Sequence, residues 1–186
     1  MHLRHLRLLV CPRCQSELTC EAAAPEDGEL TAGALRCTGC RVPYPVIGGI
    51  PRFVPRENYA SGFGLEWSRH ARTQYDSYSG LPLSQQRFAA QTQWPRDLTG
   101  ELVLEVGSGS GRFTAHAADT GAVVVSMDYS VAVDANHAAN GRRPNVLIVQ
   151  GDLYQMPFRR RALDRVFCLG VIQHTPDVHR SFLCIS

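Results

Sequence analysis

Four of the seven cysteines stand in two CxxC pairs whose spacing suits a metal ion. The pairs are CPRC, with Cys11 and Cys14, and CTGC, with Cys37 and Cys40. Two such pairs can place four thiolates around one tetrahedral zinc ion, and a closed site of this kind is structural rather than catalytic. An odd number of cysteines argues against a disulfide framework. We therefore predict a structural zinc site, with a redox pair as the alternative reading of a single CxxC.

A second cluster able to do chemistry is a glycine loop that follows the apolar run ELVLEV. It reads Gly107-Ser108-Gly109-Ser110-Gly111. Glycines between a strand and a helix let the backbone approach a ligand closely. A dinucleotide fingerprint would place its third glycine at residue 112, which is Arg112. Glu105, just before the loop, would repel a pyrophosphate but suits a ligand with an amino group and a sulfonium, such as S-adenosylmethionine.

Two aspartates follow the next two apolar runs and complete a candidate nucleoside site. Asp128 ends AVVVSMD, where a carboxylate can accept hydrogen bonds from both ribose hydroxyls. Asp152, in QGDLYQMPF, is placed to accept from an adenine amino group, and the Leu153 amide could donate to a ring nitrogen. Either aspartate alone would be read as a helix cap or a turn residue. Together with Glu105 and the loop they predict nucleoside binding.

The sequence pattern predicts that the strands and helices that position these residues form an α/β fold. Short apolar runs at 101–106, 122–128, 145–150 and 163–171 alternate with helix-compatible stretches, a pattern typical of βαβ units and a Rossmann-like parallel sheet. Prolines and glycines in 41–55 predict an extended strand, a turn and an exit into a linker. We divide the chain into a small β-rich zinc-ribbon-like domain (1–55), a helical linker or cap (56–100, with helices around 61–76 and 83–94) and a nucleoside-binding domain (101–186).

The amino-acid composition limits the classes of function that this protein can have. The chain has 186 residues, 44% hydrophobic and 19% charged, as expected for one full domain with a small second one. It contains no lysine, which excludes a Schiff-base or P-loop lysine. A net charge of +2 does not support a nucleic-acid-binding face and does not exclude one. No apolar run is long enough for a membrane span and no signal peptide is present, so we expect a cytoplasmic protein.

Residues 102–177 resemble class I S-adenosylmethionine-dependent methyltransferases, in the branch that contains ubiquinone/menaquinone-type and small-molecule enzymes. The motifs are, in order, LVLEVGSGSGRF, VVVSMDYS, QGDLYQMPF and LDRVFCLGVIQHTPD. The resemblance implies cofactor contacts at Glu105, Gly107, Ser108, Gly109, Gly111, Asp128, Tyr129, Asp152, Leu153 and Leu169. It points to His174 as a base for an acceptor of high pKa, the alternative being a histidine that caps the helix entry or packs against the cofactor. Tyr75, Trp67 and Arg72 are candidates to close over the methionine moiety or line the acceptor pocket.

The N-terminal part carries a second resemblance. LVCPRC, LRCTGC and YPVIGGIPRFVP are similar to the small zinc-ribbon-like activator subunits of tRNA and release-factor methyltransferases, here fused in cis. The likeness implies zinc held by Cys11, Cys14, Cys37 and Cys40, and a protein partner bound through this ribbon.

The leading hypothesis is methyl transfer to an unidentified acceptor, with a small molecule favoured. The alternatives are a non-catalytic zinc-ribbon binding module and an inactive fragment of such an enzyme; a Rossmann dehydrogenase is the weakest. A class I sheet has seven strands and only four are recognisable here. We therefore expect an incomplete fold, truncated after the fourth strand, whose RVFCLGV segment is left as an apolar edge.

Overall fold

The computed structural model describes residues 1–21, 28–55, 73, 75–159 and 161–186. Within these ranges the chain forms two four-stranded sheets. Trp67 and Arg72, which the sequence suggested as pocket residues, lie outside the described residues.

The N-terminal sheet is antiparallel, with strand order β1-β2-β3-β4. A 3-10 helix at Leu3–Leu8 precedes β1 (Leu18–Cys20), β2 (Ala32–Cys37), β3 (Pro43–Ile47) and β4 (Ile50–Pro51). Gly48 and Gly49 join β3 to β4 with φ of 61° and 77°, a left-handed pair that suits a two-residue hairpin. The strand and turn predicted in 41–55 are thus confirmed, and so is the β-rich character of this part.

The second sheet is parallel, with strand order β7-β6-β5-β8. Its elements are α1 (Asp76–Ser79), α2 (Leu83–Thr92), β5 (Leu102–Val106), α3 (Thr114–Ala118), β6 (Val123–Asp128), α4 (Val133–Asn140), β7 (Val146–Gln150), β8 (Arg165–Phe167), a 3-10 turn at Ile172–His174 and α5 (Val178–Ile185). The four predicted runs are therefore the four parallel strands, which confirms the Rossmann-like sheet.

The last strand differs from its prediction. β8 has only three residues, because Gly170 takes a left-handed φ of 77° and the chain turns away toward Ile172–His174. In the described part of the chain β8 pairs with β5 on one side and with no strand on the other. Most of the helix expected at 61–76 lies outside the described residues. Helix α2 lies within the other predicted helix.

Each face of the parallel sheet has its own hydrophobic core. Val103 and Val124 pack in a cluster with Phe88, Ala117 and Val133 from the helices. The neighbouring positions along the same strands point to the other face, as the period of two requires. They belong to a cluster that also contains N-terminal residues: Leu9, Leu18, Leu35, Leu104, Val125 and Leu147. The N-terminal sheet and the parallel sheet therefore share one core.

Arg52 ties the two sheets together at the edge strand β7. Its side chain is 3% exposed, and Nη1 donates to Gln150 Oε1 at 2.8 Å while Nη2 donates to Asp134 Oδ1 at 2.5 Å. The Phe53 amide donates to the Gln150 carbonyl at 2.8 Å, so the chain leaving β4 runs beside β7. Gln150 in turn donates through Nε2 to the carbonyl of Tyr129 at 3.1 Å. The N-terminal sheet is thereby connected to the loop that follows β6.

Replacing Arg52 with methionine should lower the free energy of unfolding by about 1–3 kcal/mol, because the fully buried Gln150 loses its donor. Arg143→Met is the matched control, since it breaks the exposed Arg143–Asp119 pair (2.7 Å) and should cost at most about 1 kcal/mol. Urea unfolding of both variants measures the difference. Equal losses would contradict a specific role for Arg52 at this junction.

Within the described ranges, none of the helices has the length and apolar character that a bilayer crossing requires.

Candidate functional site

A cavity of about 340 Å³ opens at the carboxyl ends of β5, β6 and β7. This is where ligands bind in open parallel sheets. Most of the predicted cofactor and catalytic residues line it: Gly107, Ser108, Gly109, Asp128, Tyr129, Asp152, Leu153, Leu169 and His174. The structure thus brings together residues that follow all four strands.

The glycine loop needs glycine for reasons of space and backbone conformation. Gly107 has a φ of 75°, and a Cβ there would overlap the side chain of Val171. The amides of Gly107 and Ser108 both donate to the Met127 carbonyl, at 2.7 and 3.1 Å, which fixes the loop beside the end of β6. Ser108 lines the cavity, and its buried hydroxyl has no hydrogen-bond partner among the described residues. A ligand with polar groups would supply that partner.

Asp128 stands where the loop meets the cavity. Its Oδ2 accepts from the Gly109 amide at 2.7 Å, and its Oδ1 accepts from the amide and hydroxyl of Ser130 at 2.8 and 2.7 Å. Three donors therefore hold the carboxylate in a fixed orientation. Asp152 is held in a similar way, since its Oδ1 accepts from the Tyr154 amide at 2.8 Å in a tight turn that follows β7. Both predicted acids face one shared cavity.

Glu105 differs from its predicted role as a ligand contact. It is 2% exposed and lies behind the loop, where its Oε2 accepts from the hydroxyls of Thr114 (2.5 Å) and Ser126 (2.8 Å). Burial raises the pKa of Glu105 to about 7. The spacing of Glu105 from the loop does not reveal which way its side chain points. That direction follows from the alternation of side chains along β5. In this position Glu105 stabilises the loop through its hydrogen bonds and does not line the cavity.

Gly111, the last residue of the glycine loop, packs against α4. A Cβ there would overlap the Asn136 side chain, and the Gly111 carbonyl accepts from Asn140 Nδ2 at 3.2 Å. Asn136 itself donates to Ser126 Oγ at 2.8 Å. The two asparagines of α4 thus extend the hydrogen-bond network that begins at Glu105. Sequence reasoning missed this network, because its members are distributed over four elements, β5, α3, β6 and α4.

Glu105→Gln should make the stability of the protein less dependent on pH. Because burial raises the pKa of Glu105 in the folded chain, the folded state binds this proton more tightly than the unfolded state. Protonated Glu105 therefore contributes to the free energy of unfolding at low pH. This contribution is lost as the pH rises from about 4.5 to about 7. We expect the variant to gain about 3 kcal/mol relative to the wild type over that interval, measured by urea unfolding at several pH values. Parallel pH profiles would contradict this placement of Glu105.

Several cavity residues were not predicted from the sequence. Arg87 of α2 and Tyr154 were not singled out, and Arg112 was noted only as a departure from the dinucleotide pattern. Arg112 directly follows the third glycine, and this position was the one sequence signal that could have identified it.

Tyr75 holds the loop by donating its hydroxyl hydrogen to the Ser110 carbonyl.

The four predicted metal ligands come together in the N-terminal sheet. The sulfur atoms of Cys11, Cys14, Cys37 and Cys40 lie within 4.8 Å of one another. Two of these separations are 3.6 Å (Cys11–Cys40) and 3.4 Å (Cys14–Cys37). A tetrahedral zinc ion with Zn–S bonds of about 2.3 Å needs sulfur atoms about 3.8 Å apart. The donor set and its dimensions therefore fit zinc.

Two family models match the chain. Residues 104–186 match the methyltransferase domain, and residues 2–49 match the Trm112p-like protein family. These ranges contain the cavity residues that follow β5 to β8 and the four-cysteine cluster, respectively.

Curated relatives match over part of the chain. The biotin biosynthesis bifunctional protein BioHC of Cellvibrio japonicus is 33% identical over 123 residues, which are 64% of this chain and 22% of that protein. A demethylmenaquinone methyltransferase of Beutenbergia cavernae is 39% identical over 67 residues, 36% of this chain and 27% of the relative. This chain thus spans less than a third of the length of either protein.

Solved structures share the fold at low identity. An S-adenosylmethionine-dependent methyltransferase structure from Methanococcus maripaludis has a TM-score of 0.52 at 19% identity, over 71% of this chain and 60% of that one. The complex between the Haloferax volcanii Trm112 methyltransferase activator and a methyltransferase gives a TM-score of 0.52 at 18% identity, over 69% of this chain and 54% of that one. Both likenesses support the fold derived from β5 to β8. The sequence matches thus give a methyltransferase domain model over residues 104–186 and a Trm112p-like model over residues 2–49 of one chain.

Proposed function

We propose that the cavity binds S-adenosylmethionine and that the protein transfers its methyl group to an acceptor. The observation that carries this proposal is the shared cavity of Asp128 and Asp152, which follow neighbouring strands and flank the glycine loop. Bound there, the donor would supply an electrophilic methyl carbon: the acceptor's lone pair bonds to it as the carbon–sulfur bond breaks and its electron pair stays on sulfur.

The residues of the chain would bind and orient the two reactants. Asp128 would accept from the ribose hydroxyls, and Asp152 with the Leu153 amide would bind the adenine edge. Ser108 would donate its unpartnered hydroxyl to the ligand. His174, which lines the cavity from the turn after β8, would take the proton that the acceptor loses.

We further propose that Cys11, Cys14, Cys37 and Cys40 hold a structural zinc ion. All four positions would be filled by protein thiolates, which leaves no open site for catalysis. The metal would hold the N-terminal sheet in the shape that packs against the parallel sheet.

We infer that the Trm112p-like domain serves the methyltransferase domain of its own chain. The activator and methyltransferase of Haloferax volcanii are separate components of a complex. Here Leu9 and Leu35 share a core with Leu104 and Leu147, and Arg52 binds the edge strand β7. This intramolecular packing favours an enzyme over a detached binding module.

Isothermal titration of the full chain tests the nucleoside site. We expect S-adenosylmethionine and S-adenosylhomocysteine to bind with micromolar Kd. NAD⁺ and ATP should bind at least about 100-fold more weakly, which is a difference of about 2.7 kcal/mol. Tighter binding of NAD⁺ than of S-adenosylhomocysteine would favour a dehydrogenase and contradict the proposal.

A further inference from the structure

The cavity carries two arginines in addition to the nucleoside-binding residues. Arg87 from α2 and Arg112 after the glycine loop both line it. Their guanidinium carbons lie 5.7 and 5.1 Å from the centre of the Phe113 ring, so two positive groups gather around one aromatic side chain. Burial and the positive charge of Arg87 lower the pKa of Arg112. An anion bound at this place would relieve that repulsion.

The nearby carboxylate of Asp76 is engaged elsewhere. Its Oδ1 and Oδ2 accept from the amides of Ser84 (2.7 Å) and Gln85 (2.9 Å) at the start of α2, and Oδ2 lies 3.4 Å from His116 Nε2. Its charge acts on Arg112 and partly offsets the effect of Arg87. In the part of the chain that is described, Arg87 forms no ion pair and donates through Nε at 3.4 Å to the neutral Gln91.

Arg87 lies on the far side of the cavity from the adenine-binding turn. A Cβ on Gly170 would lie 3.9 Å from Arg87 Nη2, which places the guanidinium beside the segment after β8. Asp152 follows β7, at the opposite edge of the β7-β6-β5-β8 sheet. The cavity is therefore acidic above β6 and β7 and basic beside β8. His174, the candidate base, lines the same cavity from the turn after β8.

We propose that Arg87 binds an anionic group of the methyl acceptor, a carboxylate or a phosphate. The inference rests on the proposed methyltransferase function and gives it a substrate class. A guanidinium binds both anions through charge-assisted hydrogen bonds, often two in parallel. An acceptor whose anion is bound by Arg87 would extend along the segment after β8, from which His174 also lines the cavity.

The test uses the full chain saturated with S-adenosylhomocysteine and two probe anions, malonate and inorganic phosphate, titrated separately. We expect millimolar binding of at least one probe, and the tighter one identifies the anion class. Arg87→Met should weaken that binding at least about tenfold, equivalent to 1.4 kcal/mol, and change the affinity for S-adenosylhomocysteine by less than about threefold. Arg13→Met is the matched control, because Arg13 is exposed in the first CxxC pair and is not a cavity residue. It should leave both affinities unchanged.

Four results would overturn the inference. If neither anion binds the wild-type complex, the acceptor class is wrong. If the anions bind but Arg87→Met leaves their binding unchanged, Arg87 is not the anion site. In both cases the methyltransferase function stands. If Arg87→Met weakens S-adenosylhomocysteine at least about tenfold but not 5′-methylthioadenosine, which lacks the carboxylate, Arg87 serves the cofactor instead. If S-adenosylhomocysteine does not bind at all, the proposed function itself fails.

Discussion

Asp128→Asn should lower the affinity for S-adenosylhomocysteine about 100-fold. A hydrogen bond to a charged group contributes about 1.5–3 kcal/mol, and the carboxylate would accept one or two from the ribose. The change also replaces one acceptor oxygen with an amide donor, which cannot accept from the Gly109 amide or from Ser130. The glycine loop then loses a contact that fixes it beside the cavity. Isothermal titration of the variant measures the combined effect.

Asp119→Asn is the matched control for this measurement. Asp119 directly follows α3, its side chain is 60% exposed, and it is not a cavity residue. It should leave the affinity within about twofold of the wild type, as is usual for surface substitutions. Asp128→Asn with wild-type affinity would show that the ligand does not use this carboxylate.

Cys37→Ser should abolish zinc binding and unfold the N-terminal sheet. Structural zinc in small domains contributes about 10–16 kcal/mol of folding free energy, comparable to or larger than the stability of a typical domain. Because Cys37 ends β2 and belongs to the core shared with β5 to β7, the loss should also weaken S-adenosylhomocysteine binding. Metal analysis, thermal unfolding and titration of the variant measure the three effects.

Cys184→Ser provides the control, since Cys184 is exposed on α5 and is not in the four-cysteine cluster. It should retain one zinc ion per chain and the wild-type melting temperature. Wild-type protein that contains no zinc, or a Cys37→Ser variant that unfolds at the wild-type temperature, would contradict the structural metal site.

Local patterns predicted the parallel sheet and placed Asp128 and Asp152 at its carboxyl edge, where the cavity opens. The runs 101–106, 122–128 and 145–150 are short, apolar and rich in β-branched residues, and each became a buried strand. Asp128 and Asp152 could be placed correctly because a residue that follows a parallel strand must lie at the carboxyl edge of the sheet. The spacing of the two CxxC pairs likewise predicts that their four sulfur atoms come together around one metal ion.

Features that depend on long-range packing could not be predicted. The direction of Glu105 is set by hydroxyls on α3 and β6. The position of Arg87 depends on how α2 packs beside Phe113 and Gly170. The junction at Arg52 joins residues that are 82 and 98 positions apart in the chain. No local pattern encodes such contacts, because they arise only when distant segments of the chain pack together.

The nucleoside cavity is tested most directly by a crystal structure of the full chain with S-adenosylhomocysteine. We expect the ribose hydroxyls within about 3 Å of the Asp128 carboxylate and the adenine amino group at the same distance from Asp152. The Ser108 hydroxyl should gain a partner on the ligand. A nucleoside bound outside the cavity, or one that leaves both aspartates without a ligand contact, would contradict the assignment.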